Sequence, residues 1–302
     1  MKTRARGAAI VMAMAVVAMA ALAATALMLS QSTWARRVEL GIDHGQGRRV
    51  LEAGLDWSRA LLYDDLRVSQ VDHAGEPWAM QMPPVPVEGG RLLGRIEDQQ
   101  ARFNLNNLVQ DGKVDPDQLA CLQRLLVLLD LPESLAASLG DWLDADGQAQ
   151  GGAEDAFYLA QSSPTLAANR PLIDLAELAR VRGFDPAVRE RLRPFVTALP
   201  GTTAINVNTA SAEVIAARVP GLGLEAARGL IAARGQAVFL DRTGFVSRLP
   251  EGVRLAPELI SVNSRYFLVT LSVELDGAQA RGTALLVRDN AGWPGVVWRK
   301  VP

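Results

Sequence analysis

A run of 29 residues without a charged side chain, residues 7–35, most constrains the fold of this chain. Positions 8–30 alone would form a helix of about 34 Å, long enough to cross the hydrocarbon core of a membrane. A secretory signal has an apolar core of only about 7–15 residues. Lys2, Arg4 and Arg6 precede the run and favour a cytoplasmic N-terminus, although Arg36 and Arg37 follow it. The sequence therefore predicts one retained membrane span with an exported body.

The helical pattern continues beyond the apolar run. Two neighbouring rows of mostly apolar residues recur at helical spacing, with charged residues largely between them. One row is Val50, Gly54, Trp57 and Leu61, and beside it lie Leu51, Leu55, Ser58 and Leu62. We therefore expect the spanning helix to continue as an amphipathic helix over residues 8–62.

The composition offers little for catalysis or for binding nucleic acid. The 302 residues include 31 basic and 33 acidic side chains, so the molecule as a whole carries no strong field. The single cysteine, Cys121, lies in an apolar stretch and is expected to be a buried thiol. His44 and His73 are the only histidines, which leaves few groups for acid–base chemistry. The chain is not expected to be an enzyme.

The rest of the chain changes from helical to strand patterning near its end. A Pro/Gly-rich loop at 77–90 precedes a strand or hairpin at 91–108. Helical patterns cover 117–129, 133–143, 174–181, 187–193, 210–218 and 223–234. Alternating apolar residues then predict strands at 266–275, 280–287 and 295–301. An early strand separated from three closing strands by helices indicates an α+β unit with an inserted helical body, the alternative being two domains in series.

The segment DWLDADGQAQGGAED, residues 141–155, is acidic and has no counter-charge. Between Arg124 and Arg170 there are seven acidic residues and no lysine or arginine, so a hard cation with oxygen ligands would relieve the repulsion. The D-x-D-G spacing is similar to an EF-hand, but Gln148 and Ala149 stand where that loop needs an Asx residue and glycine. The candidate metal ligands are Asp141, Asp144, Asp146, Glu154 and Asp155. The alternative is a solvated turn between two helices.

Residues 204–234 resemble a helix–hairpin–helix module, with the hairpin at Pro220-Gly221-Leu222-Gly223. Such glycines allow a tight turn whose backbone N–H groups can meet a phosphate. DNA-binding modules carry basic neighbours, whereas residues 202–250 have five arginines, no lysine and three acids. A structural helix pair is therefore favoured and nucleic acid is not an expected partner. The alternative function is a membrane-anchored DNA receptor.

A basic leader that ends in glycine, followed by an apolar helix that continues outside the membrane, resembles type IV pilins and pseudopilins. The resemblance implies that a prepilin peptidase cuts after Gly7 and leaves Ala8 as the new N-terminus. Most members carry glutamate at the fifth mature position, which is Met12 here. That glutamate is thought to pair with the amine of the next subunit, because a buried carboxylate needs a charged partner.

The absence of that glutamate is typical of one minor pseudopilin family, general secretion pathway protein K of type II secretion. The segments DWLDADG, GAED followed by FY, and PTLAANRPLIDLAELARVRG look like that family's sequences. The resemblance implies structural calcium in the acidic loop, I-type and J-type minor pseudopilins as partners, and a position at the pseudopilus tip. It also implies an inner-membrane anchor, a periplasmic body and a role in exporting folded cargo.

These inferences predict five regions, with a pseudopilin sheet at both ends of a helical insertion. They are a leader (1–7), a helix (8–62), the first part of the α/β unit (63–108), a helical insertion (109–258, in two parts, 109–203 and 204–258) and closing strands (259–302).

Overall fold

The computed structural model describes residues 4–275, 279–289 and 292–301, so residues 1–3 of the predicted leader lie outside the described residues. The fold begins with one helix of 65 residues, α1 (Arg4–Val68). Within it, Ile10–Gln31 has a mean hydropathy of 2.5 and none of its side chains is buried by the rest of the described chain. At about 33 Å, this segment has the length and composition of a membrane span.

The second half of α1 packs on a sheet. Of the two predicted rows, Leu51, Leu55 and Leu62 are buried, whereas Trp57 is 45% exposed. Gly54 allows α1 to approach the sheet closely, since a Cβ there would lie only 3.0 Å from Leu92 Cδ2. The buried stripe is thus narrower than the sequence pattern suggested, because one helix presents only part of its circumference to a flat sheet.

The sheet has five antiparallel strands, which are β1 (Val85–Val87), β2 (Gly90–Asp98), β9 (Tyr266–Leu275), β10 (Gln279–Val287) and β11 (Gly295–Lys300). Their order in the sheet is β1-β2-β9-β10-β11. The pair β2 and β9 runs in register from Gly90 opposite Leu275 to Asp98 opposite Phe267. The three closing strands lie where the alternation predicted them, and Phe267, Val269, Leu271 and Val273 are buried.

The early strand differs from its prediction. The strand ends at Asp98, although the strand or hairpin was predicted to extend to residue 108, and its hairpin partner β1 lies inside the predicted loop. Pro86 is tolerated in β1 because an edge strand can lack one ladder donor. Residues 103–108 pack into the helical body, where Phe103, Leu105 and Leu108 join the core around α2.

The inserted body lies between β2 and β9 and is built mainly of short helices. Its helices are α2 (Pro116–Leu128), α3 (Ser134–Leu143), α4 (Asp155–Leu159), α5 (Pro186–Leu192), α6 (Ala212–Arg218), α7 (Leu224–Gln236) and α8 (Arg242–Val246). Its two-residue strands are β3 (Phe103–Asn104), β4 (Val109–Gln110), β5 (Lys113–Val114), β6 (Val196–Thr197), β7 (Ile205–Asn206) and β8 (Ile260–Ser261). The segment predicted as a helix at 174–181 forms a 3-10 helix, Leu175–Arg180, whose start is fixed by a capping box between Asp174 and Glu177.

Two apolar cores hold this body together. The first gathers α2, α3 and α4 around Trp142 and Tyr158, and Cys121 is buried in it. The second gathers α6, α7 and α8 around Phe239 and Phe245. The molecule is thus an α+β pseudopilin-like unit with a large helical insertion, as predicted.

Candidate metal centre

The loop between α3 and α4 folds back on itself and brings three carboxylates together. Asp144 ends α3 and Glu154 immediately precedes α4. Together with Asp146 they offer carboxylate oxygens that lie within 4.8 Å of one another. Two oxygens bound to one calcium ion at about 2.4 Å can be no more than about 5 Å apart, so the spacing fits such an ion.

Two of these carboxylates are buried and lack hydrogen-bond donors. Asp144 is 1% exposed and Glu154 is 7% exposed. None of their four carboxylate oxygens has a hydrogen-bond partner among the described residues. Buried polar groups are nearly always satisfied, and an unmet group indicates an ion or water that belongs there.

The other two predicted ligands have a different role. Asp141 accepts hydrogen bonds from the backbone N–H groups of Gln150 and Gly152, at 3.0 and 2.9 Å. Asp155 accepts one from the N–H of Ala167, at 2.9 Å. The five predicted residues thus divide into a group of three carboxylates and two that fasten the surrounding loops.

Close packing holds the loop against α3. A Cβ on Gly152 would lie 2.5 Å from Ser138 Cα, so the backbone approaches the helix as only glycine permits. The carbonyl of Gly152 accepts a hydrogen bond of 3.0 Å from Arg182, whose guanidinium also lies over the Phe157 ring. These contacts hold the end of the loop in place just before Glu154.

The electrostatics of the group would favour a bound cation. Burial and the nearby charges of Asp144 and Asp141 raise the pKa of Glu154 to about 7. Burial, followed by repulsion from Asp146, raises the pKa of Asp144 to about 6. A divalent ion would reverse both effects, because it supplies the opposite charge that stabilises the ionised carboxylates. Oxygen-only ligands suit calcium, and carboxylates alone offer a structural rather than a catalytic role.

A second acidic group, Asp65, Asp72 and Glu76, already has its cation. Arg288 donates to both oxygens of Asp72, at 2.5 and 2.6 Å, and to Asp65 at 2.8 Å. Glu76 accepts hydrogen bonds from Trp78 Nε1 and the His73 backbone. The guanidinium therefore occupies the place that a metal would take. Sequence reasoning missed this arrangement because its cation, Arg288, lies 216 residues beyond Asp72 in the chain.

A buried carboxylate links the sheet to the helical body. One oxygen of Asp98 accepts hydrogen bonds from Asn206 Nδ2 at 3.0 Å, Thr209 Oγ1 at 2.5 Å and Ser264 Oγ at 2.6 Å. Ser264 N also donates to Asp72, at 2.7 Å. These bonds connect the end of β2 to both the body and the segment after α1. We call Asp72, Asp98, Asn206, Ser264 and Arg288 the joint.

The arginines around the helical hairpin serve the fold. Gly221 has a φ of +79°, as the predicted turn required. Arg218 is buried, donates to Gln118 Oε1 at 2.8 Å and lies over the Phe103 ring. Arg234 donates to the Val207 and Ala210 carbonyls. Two of the five arginines in this segment are thus engaged with the protein interior, which supports a structural helix pair.

The comparisons with known proteins agree with one another. Two family models described as type II secretion system (T2SS), protein K, match residues 101–201 and 205–263. A type II secretion system protein K from Pseudomonas aeruginosa is 37% identical over 89% of this chain and 84% of its own length. One from Klebsiella pneumoniae is 32% identical over 99% and 97%.

A solved structure shares the fold. It is the crystal structure of the GspK-GspI-GspJ complex from the type 2 secretion system of enterotoxigenic Escherichia coli. The matched chain has a TM-score of 0.71 and is 24% identical to this one, with 88% of this chain and 99% of that chain covered.

Proposed function

This chain belongs to the protein K family of type II secretion systems and is one of their minor pseudopilins, and we propose that it occupies the tip of the pseudopilus. There it would join I-type and J-type minor pseudopilins, as the related complex does. It would help to start pseudopilus assembly in the inner membrane and act on folded cargo leaving through the outer membrane. The proposed role is assembly and not catalysis.

The tip position is supported by the place where the helical body joins the sheet. A Cβ on Gly47 of α1 would lie 3.2 Å from the Cβ of Ala280, so the start of β10 lies nearest the membrane-spanning end of the helix. The body leaves after Asp98 and returns before Phe267, at the opposite end of the central strand pair. It therefore sits beyond the distal end of the pseudopilin unit, where another subunit stacked ahead would collide with it.

Met12 supports the same position. It is the fifth residue after the predicted cleavage site and its thioether side chain is 72% exposed. A subunit without a carboxylate there has no group to pair with the N-terminal amine of a subunit ahead. Such a subunit fits the first place in a filament, which has nothing ahead of it.

Association with the other minor pseudopilins can be tested with the full chain. We would co-express it with the I-type and J-type minor pseudopilins and the major pseudopilin, and measure the composition and native mass of the complex in detergent. A complex containing all three proteins supports the proposal. Recovery of this chain with the major pseudopilin alone would contradict it.

Processing by prepilin peptidase is a separate part of the proposal. The backbone of Gly7 and Ala8 lies in the first turns of α1. We would measure the intact mass of the membrane-expressed chain with and without the peptidase. A loss that matches residues 1–7 supports cleavage at Gly7, whereas an uncut chain or a cut beyond residue 20 contradicts it.

The orientation follows from the charges that flank the span. The basic residues Lys2, Arg4 and Arg6 favour a cytoplasmic N-terminus, which would place the body in the periplasm. An Asp130→Cys substitution in a Cys121→Ser background would give one exposed thiol on the body. Its labelling by a membrane-impermeant maleimide in cells with a permeabilised outer membrane supports this orientation, and labelling only after lysis contradicts it.

Calcium is the proposed occupant of the Asp144, Asp146 and Glu154 group. The two buried carboxylates that lack donors support it, because no other feature of the described residues offsets their charge. The ion would fasten α3 to α4 across the acidic loop. Removing the ion with a chelator should therefore lower the melting temperature of the chain.

A further inference from the structure

A groove of about 1050 Å³ lies between the solvent face of the sheet and the inserted body. Its floor includes one cross-strand row, Arg95, Thr270, Thr283 and Lys300, in which each residue stands opposite the next. Its wall comes from the body, at residues 173–175 and 190–199. The groove therefore runs across the strands and not along them.

The groove carries an excess of positive charge. Among its lining residues are five cations, Arg95, Arg102, Arg193, Arg281 and Lys300, and three carboxylates, Glu97, Asp174 and Glu190. Arg95 and Arg102 share one carboxylate, that of Glu97, at 3.3 and 3.4 Å. Burial, and to a smaller extent the positive charges of Arg95 and Arg193, lower the pKa of Arg102. An added anion would offset these positive charges.

Arg281 is the most available of these cations. It is exposed on β10 and has no ion-pair partner within the described part of the chain. Lys300, at the far end of the row, is paired with Asp174 of the wall. Thr270 and Thr283 lie between the two ends, so this row offers polar contacts, whereas apolar side chains such as Leu268, Leu285 and Trp298 line the groove beside it.

The spacing of the row selects a type of ligand. Arg95 and Lys300 lie on strands three positions apart, about 14 Å at about 4.8 Å per strand. An extended peptide advances about 13 Å in four residues, and its residues i and i+4 point to the same side. We propose that this groove binds an extended acidic segment of another protein, with carboxylates four residues apart that contact Arg95 and Lys300. One of them would replace Asp174 at Lys300, and Arg281 would hold an acidic side chain between them.

Anionic lipid is a poor fit for the same charges. The span ends at Gln31, and α1 continues for about 24 Å before it reaches the sheet at Gly47. The cross-strand row in the groove lies still further from the membrane than Gly47. Headgroups at the membrane surface would not reach it.

The test measures binding of two fluorescent dodecapeptides to the full chain in non-ionic detergent. One peptide carries glutamate at every fourth position among glycine, serine and threonine, and the other carries glutamine there. We expect the glutamate peptide to bind about tenfold more tightly and to weaken with salt. The Arg95→Gln and Arg281→Gln double variant should lose about tenfold in affinity, and Arg228→Gln, on the outer surface of α7, should lose nothing.

Equal binding of the two peptides would overturn the proposal, as would an unchanged affinity in the double variant. Binding to anionic vesicles in place of the glutamate peptide would overturn it too. The measurement needs no partner pseudopilin, so its failure would leave the tip position untouched.

Discussion

Arg288 and Asp72 form a buried ion pair across 216 residues of sequence, with one guanidinium nitrogen 2.5 and 2.6 Å from the two carboxylate oxygens. Arg288 follows β10 of the sheet, and Asp72 follows α1. The backbone N–H of Ser264 donates to the same carboxylate as the body returns to β9. One ion pair thus ties together the helix, the sheet and the insertion.

Breaking this pair should strongly destabilise the chain. Asp72→Ala leaves the buried guanidinium of Arg288 with only Asp65 as a charged partner, and we expect a loss of about 3–5 kcal/mol in the free energy of unfolding. The matched control is Asp289→Ala, which removes an exposed pair with Arg265 and should lose no more than about 1 kcal/mol. Denaturant unfolding of both variants in detergent checks this. Equal losses would show that the joint contributes no more than a surface pair.

Asp65, which accepts a hydrogen bond from Arg288 of the joint, should give the stability of the chain a distinct pH dependence. Burial, together with repulsion from Glu76, raises its pKa from 3.8 to about 6, because several carboxylates share the one guanidinium of Arg288. Between about pH 4 and 6 the folded chain therefore holds a proton that the unfolded chain has lost. The contribution of Asp65 to stability is then largest at low pH and decreases as the pH rises through this window.

The Asp65→Asn variant isolates that contribution because its amide does not titrate. Relative to this variant, the wild-type chain should become less stable as the pH rises from 4 to 6, and the difference should level off above 6. Thermal unfolding of the two proteins at a series of pH values gives the difference. A difference that is constant, or that grows in favour of the wild type over this range, would refute the expectation.

Removing divalent ions should lower the stability of the body. If calcium binds the Asp144 and Glu154 group, a concentration one hundred times the dissociation constant would stabilise the folded chain by about 2.7 kcal/mol. We expect a chelator to lower the melting temperature of the wild type but not that of an Asp144→Ala and Asp146→Ala double variant. Glu251→Ala, an exposed carboxylate on a distant turn, should keep the full response. A wild-type melting curve unchanged by chelator would contradict the calcium site and favour the solvated-loop interpretation.

A glycine substitution can separate the shape of the acidic loop from its charge. Gly152→Ala would bring a Cβ to 2.5 Å from Ser138 Cα and should displace the loop, with a loss of about 1–3 kcal/mol and a weakened calcium response. The matched control is Gly147→Ala in the same loop, where a Cβ meets nothing within 4 Å. The melting temperatures of both variants, with and without calcium, test this. A calcium response that survives in Gly152→Ala would show that calcium binding does not depend on this loop geometry.

The Met12→Glu variant tests whether the missing carboxylate matters to assembly. We expect the chain to fold normally and secretion to fall, because a carboxylate without a partner in the membrane costs about 3 kcal/mol. Met12→Gln adds an uncharged side chain of similar shape and serves as the control. Secretion by cells that carry each variant is the measurement. Normal secretion with Met12→Glu would show that the absence of a carboxylate at this position does not determine whether the chain occupies the tip.

Local sequence patterns predicted the elements whose packing follows a single period. The apolar run and the row that contains Leu51, Leu55 and Leu62 predicted α1, and strict alternation predicted β9. Trp57 was misplaced because periodicity shows which residues share a side of a helix but not how wide the contact is. The early strand was predicted to be too long because the polar residues after it form 3-10 turns, which have no distinct pattern in the sequence.

The candidate site was predicted in composition but not in arrangement. Clustering alone placed Asp144, Asp146 and Glu154 in one loop, and backbone geometry was needed to see that Asp141 and Asp155 point to N–H groups instead. The pairing of Arg288 with Asp72 gives no local signal, since two charged residues so far apart resemble any others in the sequence.

Gold labelling of the inserted body on isolated pseudopili would show whether this chain occupies the tip. The body would carry a short epitope in the exposed turn at Gly201, where a Cβ meets nothing within 4 Å. Electron microscopy of pseudopili sheared from cells that overproduce the major pseudopilin would then locate the label. A chain at the tip gives gold at one end of each filament and none along its length, whereas regular labelling along the shaft is incompatible with a tip position.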